Sequence, residues 1–296
     1  MDEPLHRRTL DARQEAARRL LIALGGGGAR GLAHVGVLLE LQRAGIPIAG
    51  IAGTSIGAIV GGVFAAGGEP REHGRNLARL LAVAPHSPFP VGHRHRSFRD
   101  WFDTAAYLRD DIFGLGRDDG RALEAAIRAW VGQRRIEELT TPFAAVATDV
   151  RSGEVVVLDH GPLATALHAS AALPGVYLPV SVGDRLLIDG GVVENVPVRT
   201  ARRLPGDVVL AVSVGIDLEP VVPTTGLGLL ARAEAIRAAQ DETSALNMAD
   251  VAIRVPLPGS VGVFDFDRAT ELIHRGREAM RANLERLRAA LEPPVD

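Results

Sequence analysis

The sequence predicts an α/β fold: a three-layer α/β/α sandwich with a central, mostly parallel sheet. Three observations carry this. Short apolar runs alternate with stretches of helical spacing along most of the chain, which is how parallel strands joined by crossover helices read. Two glycine-rich turns, at 25–31 and 53–57, each follow an apolar run and lead into a helix-like pattern. No repeat, low-complexity tract or clear linker interrupts the chain, so residues 20–292 read as one domain behind an N-terminal helical arm at 1–19.

The elements follow in order. Residues 9–19 are a polar helical stretch, and 20–24 is a short apolar strand. After the first glycines, 31–44 carries Leu32, Val35, Leu38 and Leu39 at helical spacing, and Gly45 with Pro47 ends that helix. Residues 48–52 form the second strand, and Ile56–Ala66 a helix rich in small residues. A more polar helix spans 69–84. Residues 121–131 return to a helical pattern. The apolar runs 143–148 and 154–158, separated by Ser152-Gly153, read as a strand pair. A short helix at 163–172 stops before Pro174. Strands at 180–181 and 185–188 flank the turn Gly183-Asp184, and Asp189-Gly190-Gly191 follows. Helix 198–204, strand 207–214, long helix 227–248, strand 251–255 and amphipathic helix 268–291 complete the chain.

Composition narrows the function. The chain has 296 residues, 47% hydrophobic and 23% charged, which is ordinary for a globular protein with a large core. A formal net charge of −3 gives no general attraction for nucleic acid. There is no cysteine, so disulfides, cysteine-bound metals and a thiol nucleophile are excluded. All 33 basic residues are arginine and they are scattered. Residues 1–19 mix acids with arginines and do not read as a secretory signal, so a cytoplasmic location is expected. Residues 46–68 carry no charge and are long enough to span a bilayer. Pro47, the glycines and the 53–57 turn instead favour a strand plus a buried helix.

The chemistry centres on the two turns. Gly53-Thr54-Ser55-Ile56-Gly57 matches G-x-S-x-G, in which a serine is raised on a tight strand-to-helix turn. The helix behind it offers a positive dipole end and the Ile56 amide. Residues 26–31 also fit G-x-G-x-x-G, the dinucleotide fingerprint. That reading wants an acid at the end of the second strand, and Ala52-Gly53-Thr54-Ser55 supplies none. The same amides, on Gly26, Gly27 and Gly28, can hold an oxyanion instead. Arg30 brings a fixed positive charge toward a phosphate or oxyanion, or else pairs with a nearby carboxylate. Asp189 ends an apolar run before two glycines. It is a candidate base for Ser55, or an aspartate that caps its own turn.

Gly-Gly-Gly-Ala-Arg-Gly-Leu-Ala-His-Val-Gly at 26–36, Gly-Thr-Ser-Ile-Gly at 53–57, Ala-Ser-Ala-Ala-Leu-Pro-Gly-Val-Tyr at 169–177 and Asp-Gly-Gly at 189–191 together resemble the four blocks of the patatin-like phospholipase family. They come in family order, across roughly residues 20–270. The likeness is to bacterial members and to the esterase domain related to neuropathy target esterase. It implies a Ser–Asp dyad, with Ser55 as nucleophile and Asp189 as base, and an oxyanion hole at Gly26, Gly27 and Gly28. It implies Arg30 near the phosphate or oxyanion, His34 as a structural side chain, and the block with Pro174 as pocket wall. The implied activity is cleavage of lipid carboxylic esters, of the phospholipase, lysophospholipase or esterase type, through an acyl-enzyme, with no cofactor and no metal. The partners expected are a lipid or lysophospholipid ester and peripheral contact with the inner face of the membrane, and not nucleic acid.

Two rival readings remain at this stage. Ser55, Asp189 and His274 have the chain order of an α/β-hydrolase triad, although few strands precede Ser55. A non-catalytic lipid- or acyl-binding module would have the same pocket with an incidental serine. Residues 85–118 hold several prolines, His86, His93 and His95, and the aromatics Phe89, Phe98, Trp101, Phe102, Tyr107 and Phe113. With Arg94, Arg96 and Arg99 this segment reads as a lid or a membrane-facing rim, or as a loop folded on its own apolar cluster.

Overall fold

The computed structural model describes residues 18–67, 119–215, 218 and 222–293. The arm at 1–19 (apart from Arg18 and Arg19), the helix at 69–84 and the segment 85–118 lie outside the described residues. Eight strands form one sheet. They are β1 (Leu20–Leu24), β2 (Ile48–Thr54), β3 (Phe143–Asp149), β4 (Val155–Leu158), β5 (Val180–Val182), β6 (Arg185–Asp189), β7 (Val208–Ser213) and β8 (Val251–Arg254). The described helices are α1 (Leu32–Arg43), α2 (Ile56–Ala65), α3 (Arg121–Val131), α4 (Leu163–Ser170), α5 (Val198–Ala201), α6 (Gly226–Asn247) and α7 (Ala269–Leu291).

The hydrogen-bonded path through the sheet is β5-β6-β3-β2-β1-β7-β8, with β4 also on β3. Strands β3, β2, β1, β7 and β8 run parallel, and β4, β5 and β6 add antiparallel pairs. The sheet is therefore mostly parallel, and helices cover it. The alternation of side chains along β1 sorts the two faces. Leu20, Ile22 and Leu24 enter a large core with α1, α2, α3, α4 and α7, whereas Leu21 and Ala23 enter a smaller one with Val196, Val198, Ala201 and Ala245. On the larger face α1 and α7 touch backbone to backbone. A Cβ on Gly276 would lie 1.9 Å from the Ala33 carbonyl oxygen, and one on Gly36 would lie 2.0 Å from that of Ile273. Arg277 and Arg281 of α7 close this contact on the buried carboxylate of Glu40.

The register on β3 positions the site. A strand residue pairs along two edges. Ala145 pairs with Gly53 of β2 and Leu158 of β4, while Ala147 pairs with Val156 of β4 and Asp189 of β6. Strands β2 and β6 therefore share one edge of β3, and β4 takes the other. Since β2 runs with β3 and β6 runs against it, their C-terminal ends meet. Thr54 lies opposite Val146 and Asp189 opposite Ala147.

Most sequence boundaries hold within a residue or two. Strand β2 runs on to Thr54, because Gly53 and Thr54 still have β3 partners. A 3₁₀ turn over Gly28–Gly31 precedes α1. The helix expected at 198–204 is a single turn, Val198–Ala201, followed shortly by Pro205, which cannot continue it. Within the uncharged run at 46–68, Ile48–Thr54 is strand and Ile56–Ala65 is helix. Among the described residues no helix is long and apolar enough to cross a membrane.

Candidate active site

Ser55 stands between β2 and α2 with φ 56° and ψ −124°, and it alone among the described non-glycine residues has a positive φ. That conformation is costly for a residue with a Cβ, and it persists only where the surroundings enforce it. Close backbone approach on either side explains the flanking glycines. A Cβ at Gly53 would lie 2.5 Å from the backbone of Ala58, and one at Gly57 would lie 2.2 Å from the Leu24 carbonyl oxygen at the end of β1. The turn is thus pressed against the neighbouring strand end, and the first glycine segment stands beside it.

Asp189 closes β6 on the same face as Leu187 and is itself buried. Burial pushes its carboxyl from an ordinary 3.8 up to about 6, against the smaller opposing pull of the nearby Ser55 hydroxyl and of the Gly191 amide. The Gly191 bond is 2.8 Å long, so Asp189 caps its own turn and also meets Ser55. The two readings of this residue are compatible. A carboxylate with a pKa near 6 is a better proton acceptor than an ordinary one and is still mostly ionised at neutral pH.

The first glycine turn divides in its use of amides. Gly25 donates to the Val212 carbonyl at 3.0 Å and Gly26 to the Asn195 carbonyl at 3.1 Å. Gly26 therefore does not offer its N–H to an oxyanion, which corrects the sequence reading. Its role is steric: a Cβ there would lie 2.6 Å from Asn195 Oδ1 and 3.3 Å from Ser55 Cβ. The amides of Gly27, Gly28 and Ile56 stand at or before the first turn of a helix, where no intrahelical acceptor reaches them. Among the described residues nothing else accepts from them. Gly31 brings the two turns together, since a Cβ on it would lie 2.2 Å from Ile56 Cγ2.

Arg30 is half-buried and its Nε donates to the Gly27 carbonyl at 3.2 Å. Burial lowers its pKa, against a smaller opposing pull from Glu242. Among the described residues no carboxylate comes within ion-pairing distance of it. His34 is fully buried, and its Nε2–H donates to the Gly25 carbonyl at 2.8 Å. Burial takes its pKa down to about 4, so the ring is neutral and braces the turn. His274 is 67% exposed and pairs with Glu278 at 3.4 Å on α7. Among the described residues nothing joins it to Asp189 as a triad would require.

Three residues escaped the sequence reading. Ser170 Oγ accepts the Ser55 amide at 2.9 Å and donates to the Val146 carbonyl at 2.6 Å. Asn195 supplies the carbonyl that takes the Gly26 amide. Glu194, next to it, accepts the Thr54 hydroxyl on its carbonyl at 2.8 Å, while its carboxylate caps α5 through Arg199 N, Thr200 N and Thr200 Oγ1. Only the position of Ser170 within the third block hinted at a role.

A serine on a forced turn and a buried carboxylate thus stand together where two strand ends converge in a mostly parallel α/β sheet. The patatin-like phospholipase family model matches residues 22–202, and the chain belongs to that family. An uncharacterised NTE family protein of Mycobacterium tuberculosis is 37% identical over 231 residues, covering 75% of this chain and 58% of the relative. The patatin-like phospholipase domain-containing protein 6 of Mus musculus is 30% identical over 223 residues, covering 73% of this chain and 15% of that protein. The chain thus spans little more than half the length of the mycobacterial relative and a small part of the mouse one. Among solved structures, VipD from Legionella pneumophila aligns over 92% of this chain and 67% of its own, with 14% identity and a TM-score of 0.49.

Proposed function

We propose that this protein hydrolyses carboxylic esters of lipids, phospholipid or lysophospholipid, through Ser55 and Asp189. The observation that carries the reading is the meeting of β2 and β6 on one edge of β3, which brings Ser55 up to the buried carboxylate of Asp189. Asp189 takes the proton from Ser55 as Oγ attacks the ester carbonyl. The oxyanion that forms is held by the amides of Gly27, Gly28 and Ile56, and such donors supply about 3 kcal/mol each to the transition state. The alcohol leaves with the proton, and Ser55 carries the acyl group. Water then attacks that ester with Asp189 again as base, releasing the acid and restoring the serine. Arg30 faces the same turn and would take the phosphate of a headgroup. The chemistry asks for no metal and no cofactor.

The test is labelling by a fluorophosphonate probe, together with hydrolysis of a panel of phospholipids, lysophospholipids and p-nitrophenyl esters. Wild type should label at Ser55 and cleave at least one lipid ester. Ser55→Ala should do neither while keeping its fold. A folded wild type that resists the probe and cleaves nothing would sink the hydrolase reading in favour of a lipid-binding module.

A further inference from the structure

Ser170, the last residue of α4, is wholly buried. Its hydroxyl has one proton, which goes to the Val146 carbonyl, and its lone pairs remain to accept the Ser55 amide. Val146 is the β3 residue opposite Thr54, and the next rung, Ala147, holds Asp189. Two residues beyond Ser170, the Ala172 carbonyl accepts the Asp189 amide at 2.9 Å. The end of α4 therefore grips the backbone of both members of the pair, one through a side chain and the other through the main chain. The Ser55 amide belongs to the one described non-glycine residue in the left-handed region, and its N–H direction sets where Cβ and Oγ point.

We propose that Ser170 is a positioning residue for the nucleophile. It holds the forced backbone of Ser55 by accepting its amide, and so keeps Oγ aimed at Asp189. Ser170 acts through Ser55 and touches neither substrate nor the reacting atoms. The inference rests on the reading of Ser55 as nucleophile.

Ser170→Ala removes the acceptor and leaves the Ser55 amide without one. A nucleophile misplaced by a fraction of an ångström to an ångström should lose about 10- to 100-fold in rate. The expected result is that loss in both the fluorophosphonate labelling rate and kcat per labelled site. KM for p-nitrophenyl butyrate should stay at the wild-type value, and the acid limb of the rate profile should stay near pH 6, since Asp189 keeps its surroundings. Ser170→Cys keeps a weak acceptor of similar size and should fall between the two; it also carries the test if the alanine variant fails to fold. Thr148→Val is the control. It removes another buried hydroxyl, on β3, that has no hydrogen-bond partner among the described residues, and it should label at the wild-type rate. The inference is overturned if folded Ser170→Ala or Ser170→Cys labels like wild type, or if Thr148→Val loses as much. If Ser55→Ala still labels, the nucleophile reading itself falls. If Ser55→Ala is silent and Ser170→Ala is unimpaired, only the role of Ser170 falls.

Discussion

Thr54 and Asp189 occupy consecutive rungs on one edge of β3, opposite Val146 and Ala147. One strand arrives parallel to β3 and the other antiparallel, so two chain ends point at each other where a continuous strand would otherwise run. The gap between them is where the proposed reaction would take place. Ser55 fills it from one side, and the carboxylate fills it from the other.

The rate should follow the ionisation of Asp189. Its carboxyl is pushed up to about 6, and the base form is needed for attack. We expect kcat/KM for an uncharged ester to fall tenfold per pH unit below about pH 6 and to level off above it. Asp189→Asn should keep substrate binding and lose about 10²- to 10⁴-fold in kcat. A profile that stays flat from pH 5 to 8 in wild type would remove Asp189 from the mechanism.

Stability should respond to Asp189 and His34 with opposite signs. The Asp189 pKa is raised from 3.8 to about 6. The folded state thus holds its proton more tightly, and the stability this gives is present below pH 3.8 and lost as pH rises through 6. Relative to wild type, Asp189→Asn should gain about 2–3 kcal/mol across that window. The His34 pKa is lowered from 6.5 to about 4. The unfolded state binds that proton first, so stability is lost as pH falls from 6.5 through 4. Relative to wild type, His34→Gln should gain a similar amount in the downward direction. Urea midpoints for the three proteins from pH 4 to 7.5 would measure both slopes, and difference curves of the same sign would contradict the assignment.

Two glycine substitutions should behave in opposite ways. A Cβ on Gly57 would lie 2.2 Å from the Leu24 carbonyl oxygen, a backbone atom fixed in the sheet, whereas a Cβ on Gly226, the first residue of α6, meets nothing within 4 Å. Gly57→Ala should cost about 3 kcal/mol or more, or fail to fold. Gly226→Ala should be neutral or stabilise by about 0.5 kcal/mol. Thermal unfolding of the two variants side by side decides this, and equal midpoints would mean the elbow is looser than it stands here.

Arg30 should matter only to substrates that carry a phosphate. Arg30→Gln should lower kcat/KM for a lysophospholipid about tenfold or more, the loss of one charge-assisted contact. The rate on p-nitrophenyl butyrate should hardly change. An equal loss on both substrates would instead put the guanidinium at the oxyanion.

Much of this site is readable along the chain because its parts are local. The elbow needs its glycines beside Ser55, the first glycine turn needs its own beside an apolar run, and Asp189 ends a strand before two more. What sequence leaves open is which edges the strands share. The pairing of β6 with the edge of β3 that β2 already uses depends on register between segments far apart in sequence, and no local pattern encodes register across such distances. The Gly26 amide is hidden from sequence for the same reason, since its acceptor, the Asn195 carbonyl, comes from a segment far along the chain. Ser170 looks like a small filler in an alanine-rich helix, because only its two buried bonds set it apart from such a residue.

The head-on meeting of β2 and β6 also sets when the proposed activity could arise. A chain made from its N-terminus exposes Ser55 and its helix well before residue 189 exists, and the edge of β3 must wait for β6 to close it. Contacts of such long range are also the slowest to form. Until then Ser55 lacks the carboxylate that the proposed mechanism gives it as proton acceptor. On the proposed mechanism an unfinished molecule would therefore be inert toward esters, with latency supplied by the order of synthesis.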